Sequence, residues 1–325
     1  MSKLPGLIFK SVKNDASRII RGITIDTILC PGVYLPLIIL ALFLFVPPFI
    51  SRYYLHILII IFMFAAGAVA WNIIGGYGGQ LSLGHAAYFG LGAYTSTMLY
   101  YYLGISPWIG MFLGAIIALV MSMFIGLLCF KLRGPYFVIA TIALAEVLRF
   151  LFLNQRWITL GAAGMIIKYR GHAPLYFQFG SKLPYYYIAF GMTLIILYIT
   201  YKIENARLGQ YLVALGQNQD AAEAVGVDSV RVKQVALSVS AFFTALTGTF
   251  YAQYTYYIDP DSVFGLALSI EFSLFAIVGG LGTLWGPVLG TFILRILSEY
   301  CWHRNAEKKS AFWSIQRPWW KHVSR

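Results

Sequence analysis

The chain carries one apolar run after another, each close to the roughly 20 residues that a helix needs to cross a bilayer. Uninterrupted apolar length places spans at Val33–Ile50, Tyr54–Ile74, Leu81–Leu103, Pro107–Phe130, Tyr136–Leu153, Pro184–Tyr201 and Val235–Tyr257. A longer region, Gly265–Tyr300, fits one tilted span with a re-entrant piece, or two short spans broken around Gly279, Gly280, Gly282, Gly286 and Pro287. With 59% hydrophobic and only 11% charged side chains, 325 residues hold too little polar surface to clothe a soluble globule. The expected fold class is therefore all-α, a polytopic integral membrane helical bundle of about eight spans, with a range of eight to ten. Residues 1–32 read as a basic cytoplasmic tail, 33–300 as the transmembrane domain and 301–325 as a basic, aromatic C-terminal tail.

The net charge is +12, which in a soluble domain would suggest nucleic acid as a partner. Here the basic residues gather in the tails and in the loops between spans, so they report orientation, and no nucleic-acid partner is expected. With the N-terminus inside, eleven of them up to Lys233 face the cytoplasm and five face out, which is the favoured sense. The first thirty residues have no apolar core of their own, so no cleavable signal is expected and the first span serves as the insertion signal. Cys30, Cys129 and Cys301 are scattered without pairing or ligand spacing, which points away from disulfides and metal.

One segment breaks the pattern. Residues 202–234 form a polar island between two apolar spans, and its charges could not stay in hydrocarbon without a large desolvation cost. The charge count places it in the cytoplasm. Leu208, Tyr211, Leu212 and Leu215 recur at helical spacing, which predicts an amphipathic helix. A shorter helix follows: Asp220 is expected to cap it, Glu223 to complete a capping box, and Gly226 to end it in a left-handed turn. Asp228 and Ser229 then restart the chain into the next span. Ala221 and Ala222 offer almost no bulk, so a partner could approach the backbone closely; the alternative is a well-capped loop with no partner.

Asp220-Ala221-Ala222, three residues, then Gly226 resembles the EAA-x-x-x-G coupling loop of ATP-binding-cassette (ABC) importer permeases, with Asp in place of Glu. The segments "GGYGGQLSLGHAAYFGLGAYT" (75–95), "LRGPYFVIATIALAEVLR" (132–149), "ARLGQYLVALGQNQDAAEAVGV" (206–227) and "IVGGLGTLWGPVLGT" (277–291) are similar to the branched-chain amino acid permease family, of the LivM type. The resemblance implies a multi-pass subunit of the bacterial inner membrane that works with a second homologous permease, two cytoplasmic ATPases and a solute-binding protein outside that membrane. Asp220, Ala221, Ala222, Glu223 and Gly226 would then be the ATPase-coupling residues. The chain contains no Gly-Lys dipeptide and so no ordinary phosphate loop, which agrees with a non-catalytic subunit that has no cofactor, its partners binding the ATP.

Candidates for the translocation path are Gly75, Gly76, Gly78, Gly79, Gln80, Ser82 and His85, because broken helices often mark substrate sites in transporters. The alternative for them is a tight turn followed by small residues that let helices pack. His85 has no carboxylate or cysteine at ligand spacing, so no metal site is expected. Glu146 is a further path candidate as an ionisable residue inside a span, although pairing with Arg149 one turn on would suit a structural role. Gly110-x-x-x-Gly114 and Gly286-x-x-x-Gly290 read as flat faces for helix contact. Asp259, Asp261 and Glu271 gather near the external ends of their spans, where a basic patch on a binding protein could meet them; the alternative is a solvated loop. The function expected is an ABC permease for branched-chain amino acids. Uptake of urea or a short amide, and ion-coupled transport through Glu146, stay open as alternatives.

Overall fold

The computed structural model describes residues 43–132 and 134–315, with side chains as far as Cys301. Most of the expected span Val33–Ile50, Arg133 and much of both tails lie outside the described residues. Two compact units are distinguished, Met1–Arg52 and Tyr53–Arg325. In the first, the described stretch holds helical residues 43–45 and a 3-10 turn at Pro47–Phe49.

The second unit is helical almost throughout. Its elements are α1 (Arg52–Asn72), α2 (His85–Leu103), α3 (Pro107–Cys129), α4 (Pro135–Asn154), α5 (Leu183–Glu204), α6 (Arg207–Gln217), α7 (Gln219–Ala224), α8 (Ser229–Thr255), α9 (Pro260–Phe264), α10 (Leu266–Gly279) and α11 (Gly286–Ile315). Among the described residues, six helical segments are long and apolar enough to cross a membrane: α1 with the π turn that follows it, α3, α4, α5, α8, and α9 with α10. Among the described residues the one sheet is a two-residue antiparallel pair, β1 (Met165–Ile166) with β2 (Tyr257–Ile258).

Helix ends follow local chemistry. Pro107 and Pro135 open α3 and α4, where the missing N–H is not needed. Gly104 closes α2 in the left-handed conformation, its N–H bonding Tyr100 O at 3.1 Å while Ile105 N bonds Leu99 O at 3.2 Å. Asp228 caps α8 through the Arg231 amide at 3.0 Å. That cap lengthens the helix beyond its apolar run, so it starts at Ser229 and not at the expected Val235. The expected span from Leu81 is likewise corrected. Residues 78–84 are not helical, and α2 begins only at His85.

The core is a close-packed trio of α2, α3 and α8. A Cβ on Gly92 would lie 2.0 Å from Ala245 O, and one on Gly248 would lie 2.0 Å from Phe89 O. Gly114 meets Gly92, where a Cβ would stand 3.1 Å from its Cα, and Gly110 meets Ser96 at 2.9 Å. Backbones this close let Thr249 Oγ1 donate across the interface to Gly92 O at 2.9 Å. The expected helix-contact role of Gly110 and Gly114 is thereby accounted for.

The long last region takes the two-helix form. α10 and α11 run antiparallel: a Cβ on Gly290 would lie 1.9 Å from Phe275 O, and one on Gly279 would lie 1.8 Å from Gly286 O. Asn72 at the end of α1 holds the break between them. Its Nδ2 donates to Thr283 O at 2.9 Å and its Oδ1 accepts from Gly282 N at 3.1 Å. Replacing Asn72, which is fully buried, with Leu removes both bonds and leaves two backbone groups unpaired. We expect a cost of about 2–4 kcal/mol, read as a lower midpoint of thermal unfolding in detergent.

Candidate functional site

Three places gather the residues that matter. The first lies where α1 ends, on the side that the charge count assigns to the cytoplasm. The helix does not stop at Asn72 but widens into a π turn at Ile73–Tyr77, and the chain then runs irregularly to His85. Its glycines have two different jobs. A Cβ on Gly75 would lie 2.4 Å from the Trp71 ring, one on Gly76 would be 2.5 Å from Gly282 N, and one on Gly78 would be 3.3 Å from Leu212. These three glycines are taken up by packing. Gly79, at φ +61°, sits against Gly216 of α6, and with Gln80 it lines a cavity of about 430 Å³ with Leu81, Gly134, Pro135 and Phe137.

Ser82 and His85 are buried behind that cavity. Ser82 O accepts from Trp71 Nε1 at 2.7 Å. His85 Nε2 meets Ser240 Oγ at 2.8 Å, and that hydroxyl donates to Ala70 O at 2.6 Å. Ala86 N donates to Ser269 Oγ at 2.8 Å, and Leu83 N to Thr141 Oγ1 at 3.3 Å. Side chains from three helices thus satisfy the backbone that the break in the chain would otherwise strand. Glu146 is not part of this group. It pairs with Arg149 at 2.8 Å as the spacing suggests, and Arg149 also reaches Asp261 at 2.5 Å near the opposite end of α4.

The second place is the polar island. α6 buries Gly209, Leu212 and Leu215, while Tyr211 stays exposed. α7 differs from expectation in its cap. Asn218, and not Asp220, accepts the Ala221 amide at 3.1 Å. Glu223 does not close a capping box; it accepts from Gln219 Nε2 at 2.8 Å and from the Ser229 hydroxyl. Buried Lys233 donates to Gln219 Oε1 at 2.7 Å. Gln219 and Glu223 thus fasten α7 to the first turns of α8 through Lys233 and Ser229. Gly226 turns the chain at φ +91°, as the sequence leads one to expect. Ala222 is buried, whereas Asp220, Ala221 and Ala224 are exposed and Val225 is 82% exposed.

The third place was missed by sequence reasoning. A cavity of about 420 Å³ opens between α1, α8, α10 and α11, lined by residues that include Met63, Phe64, Leu268, Glu271 and Arg295. His56 and Tyr254 are hydrogen-bonded at its rim. Arg295 Nη2 donates to Glu271 Oε2 at 2.6 Å, with its guanidinium carbon 3.8 Å from the centroid of the Phe64 ring. Arg295, a lone cation in the last apolar run, was the available signal. The three acids Asp259, Asp261 and Glu271 each have a partner within the chain. Asp259 caps α9 through Ser262 N at 3.1 Å, and Arg149 and Arg295 hold the other two.

A profile of the branched-chain amino acid transport system permease component family matches residues 53–311. The chain is 26% identical over 250 residues to the high-affinity branched-chain amino acid transport system permease protein LivM of Salmonella typhimurium, covering 70% of this chain and 59% of that protein. It is 25% identical over 275 residues to the protein of the same name from Escherichia coli K12, covering 78% and 64%. The chain thus spans about three-fifths of the length of these curated relatives. No solved structure matches it. The described helices form a polytopic bundle, the profile covers most of its length, and the chain belongs to the branched-chain amino acid transport permease family.

Proposed function

We propose that this chain is the non-catalytic membrane subunit of an ABC importer for branched-chain amino acids in a bacterial inner membrane. A second homologous permease completes the path, two cytoplasmic ATPases drive it, and a solute-binding protein delivers the cargo. The observation that carries this reading is the short helix α7. It is fastened to α8 by Lys233–Gln219 and Glu223–Ser229, while Ala221, Ala224 and Val225 face away uncovered. Held in this way, α7 passes a push from a docked ATPase to α8 with little slack. Gly79 and Gln80 would line the cytoplasmic end of the path; Gly75, Gly76, Gly78, Ser82 and His85 would shape it from behind, and Glu146 would orient α4.

The test is reconstitution of the full complex in proteoliposomes with radiolabelled leucine. Uptake that needs ATP inside and the binding protein outside is the expected result. Preferential uptake of urea would reassign the cargo. Uptake driven by a proton or sodium gradient without ATP, and lost in Glu146→Gln, would overturn the importer reading.

A further inference from the structure

We infer that the cavity between α1, α8, α10 and α11 is a binding site for the zwitterionic backbone of an amino acid. Arg295 would take the α-carboxylate and Glu271 the α-ammonium. This rests on the importer reading above and adds to it a site and a polarity.

Ionisable side chains on membrane-embedded helices are uncommon and face cavities or partners, where they mark sites, and Arg295 and Glu271 both line this cavity. Glu271 lies two turns before the end of α10 and Arg295 more than two turns into α11, so the antiparallel hairpin sets them side by side, well away from the break at residues 280–285. Neither is spent by the other. Arg295 has five N–H donors and gives one to Glu271, and its buried Nε has no acceptor among the described residues. The Phe64 ring lies against the guanidinium, which leaves the in-plane N–H donors as the groups a carboxylate can reach. Glu271 accepts from Arg295 at Oε2, and its side chain is 41% exposed, which leaves acceptor capacity for an ammonium.

The walls suit the rest of such a molecule. Ile60, Met63, Ala267 and Leu268 supply apolar surface beside the charged pair. A volume of about 420 Å³ falls in the range of small-molecule sites. His56 and Tyr254 stand at the end nearer the start of α1, so the cavity leads inward from the side opposite to α7.

The experiment uses the assembled transporter in proteoliposomes, nucleotide-free and with its binding protein. Cys30, Cys129 and Cys301 are replaced, and a single cysteine is introduced by Leu268→Cys. Leucine should protect that thiol from a small maleimide, while aspartate should not. Leucinamide, which lacks the carboxylate, and 4-methyl-2-oxopentanoate, which lacks the ammonium, should protect poorly. Adding Arg295→Gln should raise the half-protecting leucine concentration about 10- to 100-fold and abolish the preference for leucine over leucinamide, which a merely structural arginine would not do. Glu271→Gln should in the same way abolish the preference for leucine over the oxo acid. If Leu268→Cys fails to assemble, Ala267→Cys reports from the same wall. Labelling that leucine leaves unchanged in a complex that imports leucine would overturn the site and leave the importer reading intact. A complex that imports no leucine at all would overturn both.

Discussion

Gly248→Leu will leave almost no folded protein in the membrane, and even Gly248→Ala will cost about 3 kcal/mol. A Cβ at this position would lie 2.0 Å from Phe89 O and 2.8 Å from its carbonyl carbon, so the obstacle is backbone that cannot rotate aside. α2 and α8 would have to part by more than an ångström along a contact that also carries the Thr249–Gly92 hydrogen bond and the Gly92–Ala245 approach. Losing that separation loses packing along the whole trio, because dispersion falls steeply with distance. Gly191→Ala on α5 is the control. Nothing lies within 4 Å of a Cβ built there, and the change should stabilise the helix by up to about 1 kcal/mol. Unfolding midpoints in detergent, with the amount of protein recovered from membranes, check both signs.

On the importer reading proposed above, Ala221→Arg will reduce ATP-driven uptake at least tenfold while leaving the midpoint of unfolding unchanged. The side chain is exposed on α7 and makes none of the contacts that fasten the helix, so a large cation there costs the fold little. It would instead stand between α7 and any surface that must approach its backbone. Ala222→Arg should behave differently. That residue is buried, and a charge forced beneath α7 would unseat the helix and lower the unfolding midpoint as well. A single cysteine for crosslinking to an ATPase therefore belongs at position 221, where an adduct that changes with nucleotide is expected. Uptake by Ala221→Arg equal to wild type would remove α7 from the coupling path. On the same reading, α8 would carry the movement. It is a continuous helix of 27 residues, tied to α7 at its first turns and lining the outer cavity with Tyr251 and Tyr254 near its other end.

Much of this fold is legible in the residues themselves. Prolines at the first positions of α3 and α4, the glycine that closes α2 and the cap at Asp228 are local signals, and the chain obeys them. Signals of the same kind failed inside the polar island. Asp220 and Glu223 have capping-box spacing, yet Asn218 takes the cap because Glu223 is drawn to Ser229 and Gln219 across the turn. A three-residue pattern cannot register a competing partner that only the packing of α7 on α8 brings within reach. The glycine run at Gly75–Gly79 shows the same limit. Sequence marks a break, but only contacts with Trp71, Leu212, Gly216 and Gly282 show which glycines pack and which one, Gly79, lines a cavity.

The sequence by itself determined that this chain lives in a bilayer as a helical bundle and where a polar island interrupts it, and its charge pattern carries the expectation of which way it is oriented. Those properties depend on the length, polarity and order of residues along the chain, and they need no knowledge of neighbours. Only the tertiary structure decided that Arg295 meets Glu271 across the α10–α11 hairpin, that Arg149 takes Asp261 from a distant segment, and that Ala222 is covered while Ala221 is not. Pairings of that kind depend on how far apart helices settle and which faces they turn to one another, and that is set by glycine-to-backbone contacts between segments far apart in the chain.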